Sequence, residues 1–291
     1  MQILTLLPFL MELRINFPPF DRTLEYNYNL RKNITVFRDP LQTTLYTGSV
    51  TCQTEATTNN SLLCLLHYID VYSSLTFETL NTTNEVTYEK YYPDDWFIIK
   101  FNKHGIEELL VNSTTDKKDL IKEIAFQFHI GGEIIPKYVM KEKLVVGHCM
   151  TLFNVNSSID EYKGAEKELE KQIILPIYAS YYEGNSRYRG HERHVHIYIE
   201  KIRDDCQYSL PFFDFLNGME VAKYIHAIEI LDDKLNISTT MDVRLPADPW
   251  NPKGTLVFRE TTQLDLISIT SRTKVFHSYM RDNYRWIDLM E

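Results

Sequence analysis

Through most of this 291-residue chain apolar and polar residues alternate, the period of a strand with one buried and one wet face. Leu75, Phe77 and Thr79 alternate with polar neighbours. WFIIKF at 96–101 is followed by Asn102-Lys103-His104-Gly105 and then IEELLV at 106–111, which predicts a hairpin with Gly105 taking positive φ at the turn. Further strands fit 44–52, 62–72, 144–154, 194–202, 223–231, 235–243, 255–259 and 264–270. Strands at such spacing, parted by turn residues and without βαβ alternation, predict an antiparallel sheet closing into a barrel or sandwich.

Two stretches leave this pattern. In KKDLIKEIAFQFHIGG, 117–132, Leu120, Ile121, Ile124, Ala125 and Phe128 recur at helical spacing and Gly131-Gly132 stop the run. A lone amphipathic helix among strands is expected to plug the curved sheet or pack along it. DEYKGAEKELEKQ at 160–172 is almost wholly charged, with Lys163, Lys167 and Lys171 repelling one another at i, i+4, and reads as a solvated helix or loop. No linker or internal repeat divides the chain, so one domain over 19–291 is expected.

Composition narrows the classes. Apolar residues make up 44% and aromatic residues 13%, enough for a sizeable core, while a net charge of -9 argues against a nucleic-acid surface. The opening MQILTLLPFLMELRINF lacks a basic start and a small-residue cleavage site, so residues 1–18 read as a poor signal peptide or the remnant of one. It is too short to span a bilayer, and no other stretch comes close, so no transmembrane segment is expected. Six N-x-S/T acceptors, beginning at Asn33, Asn59, Asn81, Asn112, Asn156 and Asn236, lean towards secretion and glycosylation.

Enzyme signatures are missing: there is no G-x-S-x-G, no phosphate-binding loop, no G-x-G-x-x-G and no C-x-x-C, and no catalytic residue is assigned. The nearest approach to a metal site is HERHVH, with His191, His194 and His196. His194 and His196 share a strand face about 7 Å apart and would hold zinc only with a third ligand from elsewhere. Exposed strand histidines are the simpler reading, and no cofactor is expected. Lys137, Lys141 and Lys143 in one segment, and Lys201 and Arg203 in another, are basic groups in an acidic chain. The first set suits an acidic partner, but lysines also guard solvated sheet edges against pairing.

Four cysteines, Cys52, Cys64, Cys149 and Cys206, have neither zinc nor redox spacing and read as two disulfides, for which three pairings are open. Cys52 and Cys64 flank the polar turn TEATTNNS, so a hairpin there brings them face to face within bonding reach, which leaves Cys149 for Cys206. Spacing alone does not prove that connectivity.

The order of features resembles the N-terminal domain of vitellogenin and the related large lipid transfer proteins. LEYNYNLRKNITV and LYTGSVTCQTEA are similar to the family's opening strands. FIIKFNKHGIEELLVNS with DLIKEIAFQFHIG resembles its strand, glycine turn, strand and helix. VVGHCMTLFNV and HVHIYIEKIRDDC resemble the strands carrying its paired cysteines, and the likeness runs from roughly 22 to 275. It implies a barrel-like sheet wrapped around one central helix at 117–130, a Cys149–Cys206 bridge, and association with lipid transport, yolk storage and receptor-mediated uptake. It also places Lys201 and Arg203 in a segment tied to receptor recognition, although Asp204 and Asp205 stand beside them. The family's helical, lipid-holding domain is not expected within this chain. The expectation is therefore a secreted, vitellogenin-like barrel whose partners are lipid or lipoprotein and a cell-surface receptor. The other reading is an interaction domain from a truncated gene product that carries no lipid.

Overall fold

The structure is a computed structural model and describes residues 23–54, 61–77, 85–102, 105–129, 136–159, 195–231, 234–272 and 284–287. The first half of the chain supplies β1 (Thr23–Val36), β2 (Leu41–Thr54), β3 (Ser61–Thr76), β4 (Glu85–Tyr91), β5 (Asp95–Asn102) and β6 (Gly105–Asn112). Helix α1 (Lys118–Gln127) follows. The second half supplies β7 (Lys137–Leu144), β8 (Gly147–Ile159), β9 (Val195–Tyr208), helix α2 (Leu210–Leu216), β10 (Glu220–Leu231), β11 (Lys234–Arg244), β12 (Leu256–Arg272) and β13 (Tyr284–Ile287).

All thirteen strands belong to one antiparallel sheet in the order β13-β6-β5-β3-β2-β1-β12-β11-β10-β9-β8-β7, with β4 beside the outer part of β3. Strand β13 crosses back to β6 and both β4 and β5 border β3; otherwise each half is a meander of sequence neighbours. The seam between them is β1 against β12, paired from Thr23 with Arg272 to Val36 with Phe258. Among the described residues the path has two ends, β13 and β7, so the sheet is open and not a closed barrel.

Alternation decides which face is dry. On β10 Tyr224, His226, Ile228 and Ile230 are buried, and on β11 Leu235, Ile237, Met241 and Val243, with mostly less-buried residues between them. The predicted hairpin is β5 and β6, and Gly105 sits at φ 110°. The strands expected at 255–259 and 264–270 are one continuous strand, β12. The charged segment 160–172 lies outside the described residues.

Helix α1 presents Ile121, Ile124, Ala125 and Phe126 to strands β6, β11 and β12, and Tyr28 of β1 meets Phe128 edge-on at 5.4 Å. The expectation of a single helix needs correction, because α2 occupies the β9–β10 connection. Seven residues starting Leu-Pro are too few for a periodic signal, but Pro211 suits a first helical turn, where its missing N–H costs no bond. No helix among the described residues is long and apolar enough to cross a membrane.

Candidate functional site

Alternation along β9 buries Ile197 and Ile199, and the same inward face continues through Lys201 and Arg203. The basic pair expected at a receptor surface therefore points into the protein, with Lys201 fully buried and Arg203 nearly so. On β7 the inward face runs through Tyr138, Met140, Glu142 and Leu144, and Glu142 arrives beside them.

The Glu142 carboxylate accepts from Lys201 Nζ at 2.7 Å, from Thr151 Oγ1 of β8 at 2.8 Å and from Arg203 Nε at 3.3 Å. Lys201 Nζ also donates to the backbone oxygen of His129, just past α1, at 2.7 Å. His129 Nδ1 accepts the backbone N–H of Ile106 on β6 at 3.2 Å, so its proton belongs on Nε2, which faces Glu142 Oε1 at 3.6 Å. One carboxylate thus gathers β7, β8, β9, the exit of α1 and, through His129, β6 near the other end of the sheet. Aromatic rings seal the cluster. Lys201 lies 5.1 Å from the Phe153 ring, and the Arg203 guanidinium 4.6 Å from Tyr224 and 5.1 Å from Phe126.

Burial and neighbouring charge set the protonation states. Burial alone would push Glu142 up, but Lys201 and Arg203 outweigh it and hold the carboxyl at about 2. His129 falls to about 3, because burial and then Lys201 disfavour the imidazolium. Lys201 is lowered to about 8 by burial, against the pull of Glu142. His226 is lowered for the same reason, burial first. Both histidines are neutral near pH 7, and the cluster carries Lys201, Arg203 and Glu142 as its charges. Sealed from solvent, it is built to hold elements together, not to meet a solute.

A second ion cluster joins α1 to the β1–β12 seam. Lys32 of β1 lies 2.5 Å from Glu123 of α1 and 3.3 Å from Glu260 of β12. Burial pushes Glu123 up to about 7, against Lys32 and with the help of Glu260.

The other basic residues expected to suit an acidic partner do face solvent. Lys137, Lys141 and Lys143 occupy alternate, exposed positions on β7, with exposed Val139 in the same row. Lys141 Nζ donates to Gln207 Oε1 at 3.3 Å.

The structure bonds Cys52 to Cys64 and Cys149 to Cys206. The first pair sits directly opposed on β2 and β3 with Cα atoms 4.1 Å apart. The second forms where the β8–β9 register shifts between His148 and Met150, and Asp205 adopts φ 45° beside it. That irregularity turns Cys206 towards buried Cys149.

Of the sequon asparagines, Asn156 and Asn236 are exposed on β8 and β11. Asn33 is half-buried in β1, and Asn112 turns its side-chain oxygen to the N–H and hydroxyl of Thr114. Asn59 and Asn81 lie outside the described residues, as do His191 and His194. His196 Nε2 is 3.4 Å from Glu229, and no group of three metal-capable side chains occurs among the described residues.

The residues that sequence reasoning missed are Glu142, His129 and His226. Parity was the available signal, since each falls in step with buried neighbours on its own strand or helix exit.

No family model matches the chain, and no curated protein matches it. Among solved structures it is similar to one described as "Lipid-protein interactions in lipovitellin", with a TM-score of 0.52 at 12% sequence identity. The match covers 89% of this chain and 26% of that one. The two share a fold, and this chain spans about a quarter of the other's length.

Proposed function

We propose that this protein is a secreted, vitellogenin-like lipid-handling protein that binds lipid or a lipoprotein and carries out no catalysis. The observation that carries the reading is the match to the lipovitellin structure across 89% of the chain. The two disulfides support it, because such bonds persist in oxidising compartments outside the cytosol. The finer picture, a sheet curled about α1, is supported by the helix touching strands from both halves. The test is expression through a secretory pathway, purification without detergent, and quantification of co-purified lipid by mass spectrometry. One or more lipid molecules per chain is the expected result; lipid-free, monodisperse protein refutes the carrier reading.

A second reading, recognition of an acidic receptor, is favoured by Lys137, Lys141 and Lys143 standing in one exposed row on β7. It moves the receptor surface from Lys201 and Arg203, which are buried, to the sheet's edge. Binding through that row weakens as salt rises.

A further inference from the structure

The strand pairings bring three connections to one end of the sheet. Val36 pairs with Phe258, Val243 also pairs with Phe258, and Glu220 pairs with Arg244. The β1–β2 turn, the β11–β12 turn and the connection holding α2 therefore emerge side by side. Direct contacts tie them together: Phe37 N–H donates to Val257 O at 2.9 Å, and the Phe215 ring meets Phe258 at 5.5 Å.

This rim shows solvent apolar groups that a core would take. Leu210 and Phe213 on α2 are 77% and 64% exposed, and Trp250 at the apex of the β11–β12 turn is 95% exposed. Leu245 and Phe215 are half exposed behind them. Trp250 is not there through looseness. The Asp248 carboxylate accepts from the N–H groups of Trp250 and Asn251 at 2.8 and 2.7 Å, and Gly254 N–H donates to Asn251 O at 3.0 Å. Arg244 clamps Lys253 O at 2.9 Å, and Pro249 and Pro252 flank the apex. The turn is fixed with its indole held outward.

We propose that this rim inserts its aromatic tips into a phospholipid surface. The inference deepens the lipid reading and takes from it only that lipid is the counterpart. Two features choose lipid over a protein partner. The apolar groups stand on the connections at the strand ends, Trp250 at a turn apex and Leu210 and Phe213 on α2, whereas a peptide or helix is received in a groove. The rim's charges also nearly balance, Arg38, Arg244 and Lys253 against Asp39, Asp214, Glu220 and Asp248, in a chain of net -9. A rim so close to neutral meets zwitterionic headgroups without the repulsion that the rest of the surface would meet at an anionic bilayer. Tryptophan with basic side chains just behind it is the arrangement that settles at a membrane interface.

The experiment uses the whole chain and phosphatidylcholine vesicles with brominated acyl chains. Wild type is expected to float with the vesicles, with part of its tryptophan fluorescence quenched. Trp250→Ala is expected to lose that quenching and to partition at least about tenfold less, and Phe213→Ser to weaken partitioning by a similar factor. Both side chains are exposed, so both variants should keep wild-type thermal unfolding. Equal flotation of wild type and variants overturns the proposal, as does self-association of the wild type through Trp250 without flotation. A chain purified free of lipid that still floats through Trp250 keeps this proposal while refuting the carrier reading. A chain carrying lipid whose variants float unchanged does the reverse.

Discussion

Glu142 meets two buried cations, a hydroxyl and an imidazole, and it is the residue whose loss should be felt most. Glu142→Ala leaves Lys201 and Arg203 buried without a counter-charge, and a cost of about 3–5 kcal/mol is expected in urea unfolding. Lys141→Ala on the outward face of the same strand should stay within about 0.5 kcal/mol. The cluster also makes stability depend on acid. His129 is depressed to about 3 in the folded protein, so its contribution is complete above its ordinary pKa near 6.5 and is lost as pH falls from there to about 3. Glu142, depressed to about 2, loses its contribution as pH falls from about 4.5. Glu123 is raised to about 7 and works in the opposite sense, favouring the fold as pH drops from 7 to about 4.5. The readout is therefore a difference: thermal melts of wild type minus those of His129→Phe should show the variant less sensitive to acid between about pH 6.5 and 3.

At the scale of elements, the two bridges should contribute unequally. Cys149–Cys206 spans 57 residues and Cys52–Cys64 spans 12, which in the chain-entropy model corresponds to about 4 and about 3 kcal/mol. Replacing each pair by serine and alanine and comparing denaturant midpoints checks the order. Gly147, at φ 137°, allows β8 to leave its hairpin close to β9, where an added Cβ would stand 2.2 Å from Gln207 O, so Gly147→Ala should destabilise by more than about 1 kcal/mol. Strand alternation made β10, β11 and the Gly105 hairpin readable from the chain, because one wet and one dry face leave a period of two. At β9 the period held and residue type misled, because Lys201 and Arg203 take buried positions in that same step although long cations are ordinarily exposed. Alternation was silent on α2, which is too short for a periodic signal, and on the partners of Glu142, which are far apart in sequence and meet only through the sheet order.

For the molecule as a whole, α1 joins the two meanders. Ile121 and Ile124 are fully buried between strands of both halves, and Ile124→Ala should cost about 2–5 kcal/mol while unfolding remains a single transition monitored by circular dichroism and fluorescence together. The seam has a further consequence for how the protein is made. β1 is among the first strands to leave the ribosome, yet β12, its neighbour on one side, is among the last. At ordinary elongation rates that side of β1 waits roughly ten to fifty seconds with its backbone donors and acceptors unpaired. A growing chain of this design displays a fourteen-residue sticky margin to its neighbours on a polysome, and its yield should depend on the chaperones that shield such margins.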